Sequence, residues 1–299
     1  KETEKKIDEL LAKMTLEEKV GQLNQDGSSP MEGKGESADD NIRAGRVGTL
    51  LGVHGTSRCN HLQKVAVEES RLGIPLLFGM DVIHGHRTIF PIPLAESCSW
   101  DEELFEKTAQ VSALEAAVAG INWVFAPMLD VSRDGRWGRI TEGAGEDPYL
   151  VSRYAAAKVH GLQGEDLTDP TRVLACAKHF VAYGAAIGGR DYNSTDISLQ
   201  TLWEVYLPPF IAACESGAAT YMAAFQDLNG IPCTVNSYLL QDVLREKLGF
   251  EGLVISDWEA IGECVNHGIA LDRKDAAKQA LIAGVAIDML SKCYMEYVP

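Results

Sequence analysis

Apolar positions along the chain follow two periods. Residues 4–24 carry them at helical spacing, with Ile7, Leu10, Leu11 and Met14 on one stripe. Thr15-Leu16-Glu17-Glu18 then forms a capping box that opens a second short helix through Leu23. The pair reads as a lid over the bottom of the fold. Residues 25–41 are rich in Gly, Ser, Asp and Glu, which is loop composition. Beyond them, β-rich runs at 47–52, 75–81, 122–127, 173–177, 219–225, 252–256 and 285–290 alternate with helical stretches at 101–119, 148–163, 198–216, 237–248 and 274–283.

Alternating strands and helices imply parallel strands joined by crossover helices. The fold class is therefore α/β, a (β/α)8 TIM-type barrel. The seven runs are one short of the eight strands required, so an incomplete or irregular strand is expected between 81 and 121 or between 178 and 219. A doubly wound open sheet is the alternative, but no GxGxxG or Walker loop follows the first run. The expected division is 1–46 as N-terminal helices and loop covering the barrel, and 47–299 as the barrel.

Composition narrows the partners. At 299 residues, 46% hydrophobic, the chain can bury a full core. Lys and Arg number 27 against 43 Asp and Glu, a net charge of −16 with no basic run, which excludes nucleic acid and anionic membrane surfaces as partners. Nothing approaches the ~18 apolar residues of a membrane span, and Lys1-Glu2-Thr3-Glu4-Lys5-Lys6 lacks the apolar core of a signal peptide. The seven cysteines are scattered without a CxxC pair, so they read as small buried apolar residues rather than zinc ligands.

Charged residues cluster just past the C-terminal ends of the β-rich runs: Asp81, then Asp130 and Arg133, then Lys178-His179, then Asp257. A β/α barrel builds its active site from those ends. One such residue alone reads as a helix cap; several together do not. Gly252-Leu253-Val254-Ile255-Ser256-Asp257-Trp258 delivers a carboxylate and an indole together, which suits a pyranose with its stackable C–H face and its anomeric carbon. Glu259 and Glu263 follow closely and offer a second carboxyl group. Lys178 and His179 sit side by side at a strand end, where a strand-to-loop transition can turn both toward one ligand. The run from Asp130 to Asp147 alternates cations and carboxylates around Trp137, an ordered loop in which one arginine forks onto ligand hydroxyls while the others pair with acids.

Taken in order, Gly79-Met80-Asp81-Val82-Ile83-His84-Gly85, Arg136-Trp137-Gly138-Arg139, Glu146-Asp147-Pro148, Lys178-His179-Phe180, Leu228-Asn229-Gly230 and Ser256-Asp257-Trp258 resemble glycoside hydrolase family 3, specifically the N-terminal barrel of its β-glucosidases, with the bacterial periplasmic members nearest. The likeness runs from the helix ending at Gln22 to the end of the chain. It implies a retaining, exo-acting β-glucosidase releasing terminal non-reducing β-D-glucosyl residues from a β-glucoside or oligosaccharide, with no cofactor and no metal. It implies Asp257 as nucleophile, and Asp81, Arg139, Lys178, His179 and Met222 as residues holding the sugar, with Trp258 beside them. The acid/base of many members lies in a C-terminal α/β sandwich domain, expected to be a partner absent from this chain. In periplasmic relatives a glutamate six residues after the nucleophile maps onto Glu263, the candidate here. Periplasmic or secreted localisation follows from the same resemblance, and a homo-oligomer is left open.

The chain departs from the family pattern in three places. Phe225 stands where many relatives have a tyrosine near the nucleophile, Gly135 replaces a proline, and Ala144 replaces an aromatic. The segment Lys178-His179-Phe180-Val181-Ala182-Tyr183-Gly184 also lacks the second histidine of the family's N-acetylglucosaminidases. Within the family a β-xylosidase is the alternative. From another class, His84-Gly85-His86 with the other strand-end residues resembles a metal-dependent amidohydrolase barrel, although 219–225 offers none of the further histidines required. A non-catalytic, sugar-binding barrel is the third reading.

Overall fold

A computed structural model of the chain describes residues 2–27 and 38–298. Eight parallel strands make the main sheet: β1 Asn24–Gly27, β2 Thr49–Leu51, β3 Leu77–Met80, β4 Trp123–Val124, β5 Leu174–Phe180, β6 Thr220–Ala223, β9 Leu253–Ile255 and β10 Asp288–Met289, joined laterally in the order β10-β1-β2-β3-β4-β5-β6-β9. The ends of this series meet at one parallel bridge between Ile255 and Ile287, where the Ser256 amide donates to the Ile287 carbonyl at 2.9 Å. The sheet thus curls into a (β/α)8 barrel with a single thin seam. A short antiparallel hairpin, β7 Asp227–Leu228 and β8 Ile231–Pro232, stands outside the ladder. Its turn residues Asn229 and Gly230 both have positive φ (52° and 85°), the conformation a two-residue hairpin loop demands.

Each of the seven β-rich runs contains a strand. The eighth lies in neither expected gap: it is β1, at Asn24–Gly27, which straddles the start of the stretch whose polar composition reads as loop. The barrel therefore takes in residues before the expected boundary at 46/47. The sequence Asn-Gln-Asp-Gly has no apolar alternation: Asn24 and Gln25, on opposite faces of the strand, are both buried as polar groups. The N-terminal helix pair also differs in part from the expectation. Thr15 forms the full capping box with Glu18 as expected, and the helix Leu16–Gln22 buries Val20. The helix Glu2–Leu11 buries nothing, leaving Ile7 and Leu11 exposed, so its stripe does not cover the barrel.

Two apolar layers hold the barrel. Inside, Trp123, Phe125, Cys176, Met222, Ile255, Ile287 and Met289 fill the lumen. Trp123 Nε1 reaches across to donate to Thr220 Oγ1 at 2.8 Å. Gly79 in β3 makes room for this layer, since a Cβ there would meet the Phe125 ring at 2.6 Å. Outside, helices Glu102–Val118 and Pro148–Gln163 pack against one another and the sheet through residues such as Phe105, Ala109, Tyr154 and Val159.

That outer layer contains a buried ion pair. Lys158 Nζ lies 2.8 Å from Glu96 Oε2 and 2.8 Å from Thr108 Oγ1, with both charged side chains under one tenth exposed. A half-broken buried pair leaves an unpaired charge, whereas an apolar replacement of both members is tolerated. Lys158→Met should therefore destabilise the fold by about 3–5 kcal/mol. Glu96→Leu combined with Lys158→Met should recover most of that loss, read by denaturant midpoint at constant slope.

Candidate active site

Parallel strands leave all their C-terminal ends on one rim, and a pocket of about 340 Å³ opens there. Leu51, Met80, Phe125, Met222 and Met289 make its apolar base and side, while Asp81, Arg139, Lys178, His179, Asp257 and Trp258 supply its polar wall and mouth. Seven of the eight nominated residues thus line one cavity. Glu263, the eighth, does not.

Each polar residue is delivered by a specific element. Lys178 and His179 belong to β5, where the pairing register with β6 slips between Ala177 and Phe180. Such an irregularity releases the strict alternation of a strand, and both side chains reach the pocket. The peptide joining them is cis. Lys178, almost wholly buried, extends its Nζ to Asp81 Oδ1 at 2.6 Å. Asp81 follows β3, and its side chain is 57% exposed, so the pair spans floor to rim.

Arg139 comes from the loop after β4. Its Nε and Nη2 fork onto Glu142 at 2.7 and 3.0 Å, and its guanidinium lies 5.6 Å from the centre of the Tyr183 ring. Burial opposes the arginine charge, but the Glu142 bonds more than restore it and raise its pKa above the usual value. The expected division of labour in this loop is altered: the arginine at the pocket is itself paired. Arg136 pairs with Asp134 at 2.7 Å in solvent, and Arg133 is exposed and absent from the pocket lining. Asp147 does what its position suggests, capping helix Pro148–Gln163 by accepting from the Tyr149 amide.

Asp257 stands just after β9 and is 7% exposed. Its Oδ1 accepts from the Trp258 amide at 2.7 Å. Its Oδ2 lies 3.4 Å from His179 Nε2, and neither of these two buried atoms has a hydrogen-bond partner. Burial pushes the Asp257 carboxyl up to about 7, while Lys178, the Trp258 amide and Arg139 pull it down. Burial also holds His179 well below its usual value, with Arg139 and Lys178 adding to the effect, so the imidazole is neutral at pH 7. Its other nitrogen, Nδ1, faces Asp130 Oδ2 at 2.8 Å. Met222 lies at the base from β6, and Trp258 offers a half-exposed indole at the mouth.

Glu263 closes the helix Ala260–Glu263 that follows Trp258. Burial raises its carboxyl, with His267 opposing and Glu259 assisting. Its charge and that of Asp257 both raise the Tyr192 hydroxyl, after burial, which puts that loop tyrosine within electrostatic reach of both carboxylates. Phe225 is buried against Tyr192 with ring centroids 4.6 Å apart. Sequence reasoning singled out Asp130 as a strand-end residue but assigned it no role, and it placed Glu142 among the loop's acids without pairing it to the pocket arginine. The signal for Asp130 was present, an acid interrupting the apolar run Val124–Leu129. His84 and His86 do not line the pocket; His84 Nδ1 faces the Phe90 carbonyl at 2.9 Å. Among the described residues no group of three or more His, Cys, Asp or Glu could hold a metal ion.

These features define a (β/α)8 barrel with a carboxylate-centred pocket at its C-terminal rim. The family profile described as Glycosyl hydrolase family 3 N terminal domain matches residues 15–299, and the chain belongs to that family. This membership sets aside the amidohydrolase reading. The chain is similar to the periplasmic beta-glucosidase of Salmonella typhimurium, 43% identical over 293 residues that cover 98% of this chain and 38% of the relative. It is also similar to a beta-xylosidase of Formosa agariphila, 36% identical over 303 residues covering 97% of this chain and 36% of that one. Among solved structures, a beta-glucosidase from Listeria innocua in complex with glucose matches with a TM-score of 0.94 at 41% identity, over 98% of this chain and 43% of that one. The chain spans about two fifths of the length of these proteins.

The raised Asp257 carboxyl carries a stability consequence. A carboxyl whose folded pKa exceeds its unfolded value binds protons more tightly when folded, so ionisation costs stability fully above the folded value and not at all below the unfolded one. The window runs from 3.8 to about 7. Asp257→Asn removes the ionisation, so it should raise the melting temperature by a few degrees at pH 8 and leave it nearly unchanged near pH 3.5, measured by thermal melts across pH.

Proposed function

We propose that the chain is the catalytic barrel of a retaining, exo-acting β-glucosidase. The observation that carries this reading is the buried, unpaired Oδ2 of Asp257 at the centre of a pocket lined by Asp81, Arg139, Lys178 and His179. A desolvated carboxylate with one free oxygen suits attack on an anomeric carbon. The Asp81–Lys178 pair and Arg139 suit the hydroxyls of one sugar ring, because a paired charge still has donor and acceptor capacity left to offer. Trp258 suits the apolar face of a sugar at the mouth. A pocket closed at its base by Met222, Met289 and Phe125 fits a chain end better than a chain interior.

In the reaction, Asp257 Oδ2 bonds to the anomeric carbon as the bond to the leaving oxygen breaks, and a carboxylic acid gives that oxygen its proton. Water then attacks the glycosyl-enzyme from the opposite side, gives a proton back to the same carboxylate, and releases the sugar with its configuration retained. No cofactor enters these steps. Glu263 is the proton donor nominated from this chain; its raised carboxyl favours the acid form, and its place outside the pocket lining makes this the step most exposed to test. A β-xylosidase is the second reading, favoured by the beta-xylosidase relative. Periplasmic localisation is supported by the name of the Salmonella relative, and among the described residues no helix is long and apolar enough to cross a membrane.

Turnover of p-nitrophenyl β-glucoside and β-xyloside, with and without a chelator, tests the reading. We expect release that survives chelation, favours the glucoside and vanishes in Asp257→Ala while the fold is kept; chelator-sensitive release, or release unaffected by that substitution, refutes it. The acid limb of kcat/KM should fall well above the ordinary carboxylate range, toward about 7, because burial raises Asp257 and the nucleophile must be ionised. Glu263→Ala should slow the p-nitrophenyl substrate far more than a dinitrophenyl one, with azide restoring turnover. Equal effects on both would show that Glu263 is not the proton donor.

A further inference from the structure

The chemistry proposed for Asp257 leaves Asp130 unused, yet Asp130 is one of the most completely enclosed acids of the barrel, 1% exposed. It follows β4 on a segment locked to β5: Met128 bridges Lys178, and the Leu129 amide donates to the Lys178 carbonyl at 2.6 Å. Its Oδ2 accepts from the His179 backbone amide at 3.0 Å and faces His179 Nδ1 at 2.8 Å, while its Oδ1 accepts from the Tyr183 amide at 3.2 Å. Donors therefore converge on both oxygens. Burial pushes the Asp130 carboxyl up to about 7 while the His179 and Tyr183 amides and Arg139 pull it down; once it is ionised, a bare Nδ1 would set acceptor against acceptor at Oδ2.

The His179 imidazole is neutral and so carries one N–H, which the Asp130 contact assigns to Nδ1. Nε2 is then a bare acceptor. It faces Asp257 Oδ2 at 3.4 Å, where neither atom makes a hydrogen bond. The opposite tautomer would place an N–H against the Asp257 carboxylate, stabilise its charge and blunt its nucleophilicity.

We propose that Asp130 is a positioning residue of the reaction: by holding the Nδ1 proton of His179 it keeps Nε2 bare toward Asp257, so the nucleophile carries no hydrogen bond from the ring. The inference rests on the reading of Asp257 as nucleophile. Other charged or titratable groups face the pair from each side: Lys178 from β5, Asp81 after β3, Arg139 with Glu142 after β4, and Tyr183 and Tyr192 after β5. All of them remain in the variant below, so a change in the pH profile reports on Asp130.

The experiment is the ring tautomer of His179 in the full protein, read from its nitrogen-15 shifts by NMR and assigned by comparison with His179→Gln, alongside kcat/KM against pH. In the wild type the proton should sit on Nδ1. Asp130→Asn keeps the shape but makes the Nδ1 partner neutral, so the charged Asp257 should win the proton to Nε2. The acid limb should then move to lower pH, and kcat/KM at its plateau should fall by about 10- to 100-fold. A wild-type proton on Nε2, or on both nitrogens, overturns the proposal whether or not the variant folds. So does a variant that loses activity with tautomer and acid limb unmoved, since that is a merely structural role. So does a moved tautomer with unchanged kinetics. Absence of any glycosidase turnover in the wild type would instead refute the functional reading and with it a positioning role, while the tautomer would still report where Asp130 holds the proton.

Discussion

Parallel hydrogen bonding around a closed circle is the constraint on which the rest of this molecule depends. It sends every strand in one direction, so residues far apart in sequence, from Leu51 to Met289, come to one rim. The same geometry forbids short hairpin returns and requires a crossover segment after each barrel strand, which is why helices such as Glu102–Val118 and Pro148–Gln163 clothe the outside. The lumen beneath the rim is plugged by Trp123, Phe125, Met222 and Met289, and the last three are also the pocket base. Fold stability and site shape therefore share side chains, and a cavity cut into the plug would be felt at the site.

Electrostatics at the rim follow one rule: charges are paired off before a ligand arrives. Lys178 is matched by Asp81, Arg139 by Glu142, and the His179 ring by Asp130. Each pairing lowers the cost of holding polar groups in a largely apolar pocket. Asp257 is the exception, with one oxygen satisfied by its neighbour's amide and the other left without a donor. The expense of that exception is visible in its raised carboxyl, and the surrounding barrel supplies the stability that tolerates it.

Much of this was legible from residue patterns. Seven strands and the crossover helices announced themselves because each has an apolar side to bury against a neighbouring layer. The strand Asn24–Gly27 did not, since its buried residues Asn24 and Gln25 are both polar and leave no hydrophobic signature. The helix Glu2–Leu11 shows the converse error: amphipathic spacing states what a helix offers to bury, and here nothing takes up the offer. Asp257, Lys178, His179, Asp81 and Arg139 were readable from strand-end position and motif together. What no pattern could supply was pairing, because Asp130 with His179 and Lys178 with Asp81 are contacts between segments 49 and 97 residues apart.

Phe225 shows how a local departure is absorbed. The phenylalanine packs its ring on Tyr192 and Tyr183 and stays out of the pocket lining. Tyr183 in turn lies edge-on to His179 and beneath Arg139. An apolar change at one strand end is thus passed through a stack of rings to the groups that flank Asp257. With no hydroxyl at position 225, the polar group that this stack brings to Asp257 Oδ2 is the His179 imidazole, 3.4 Å away.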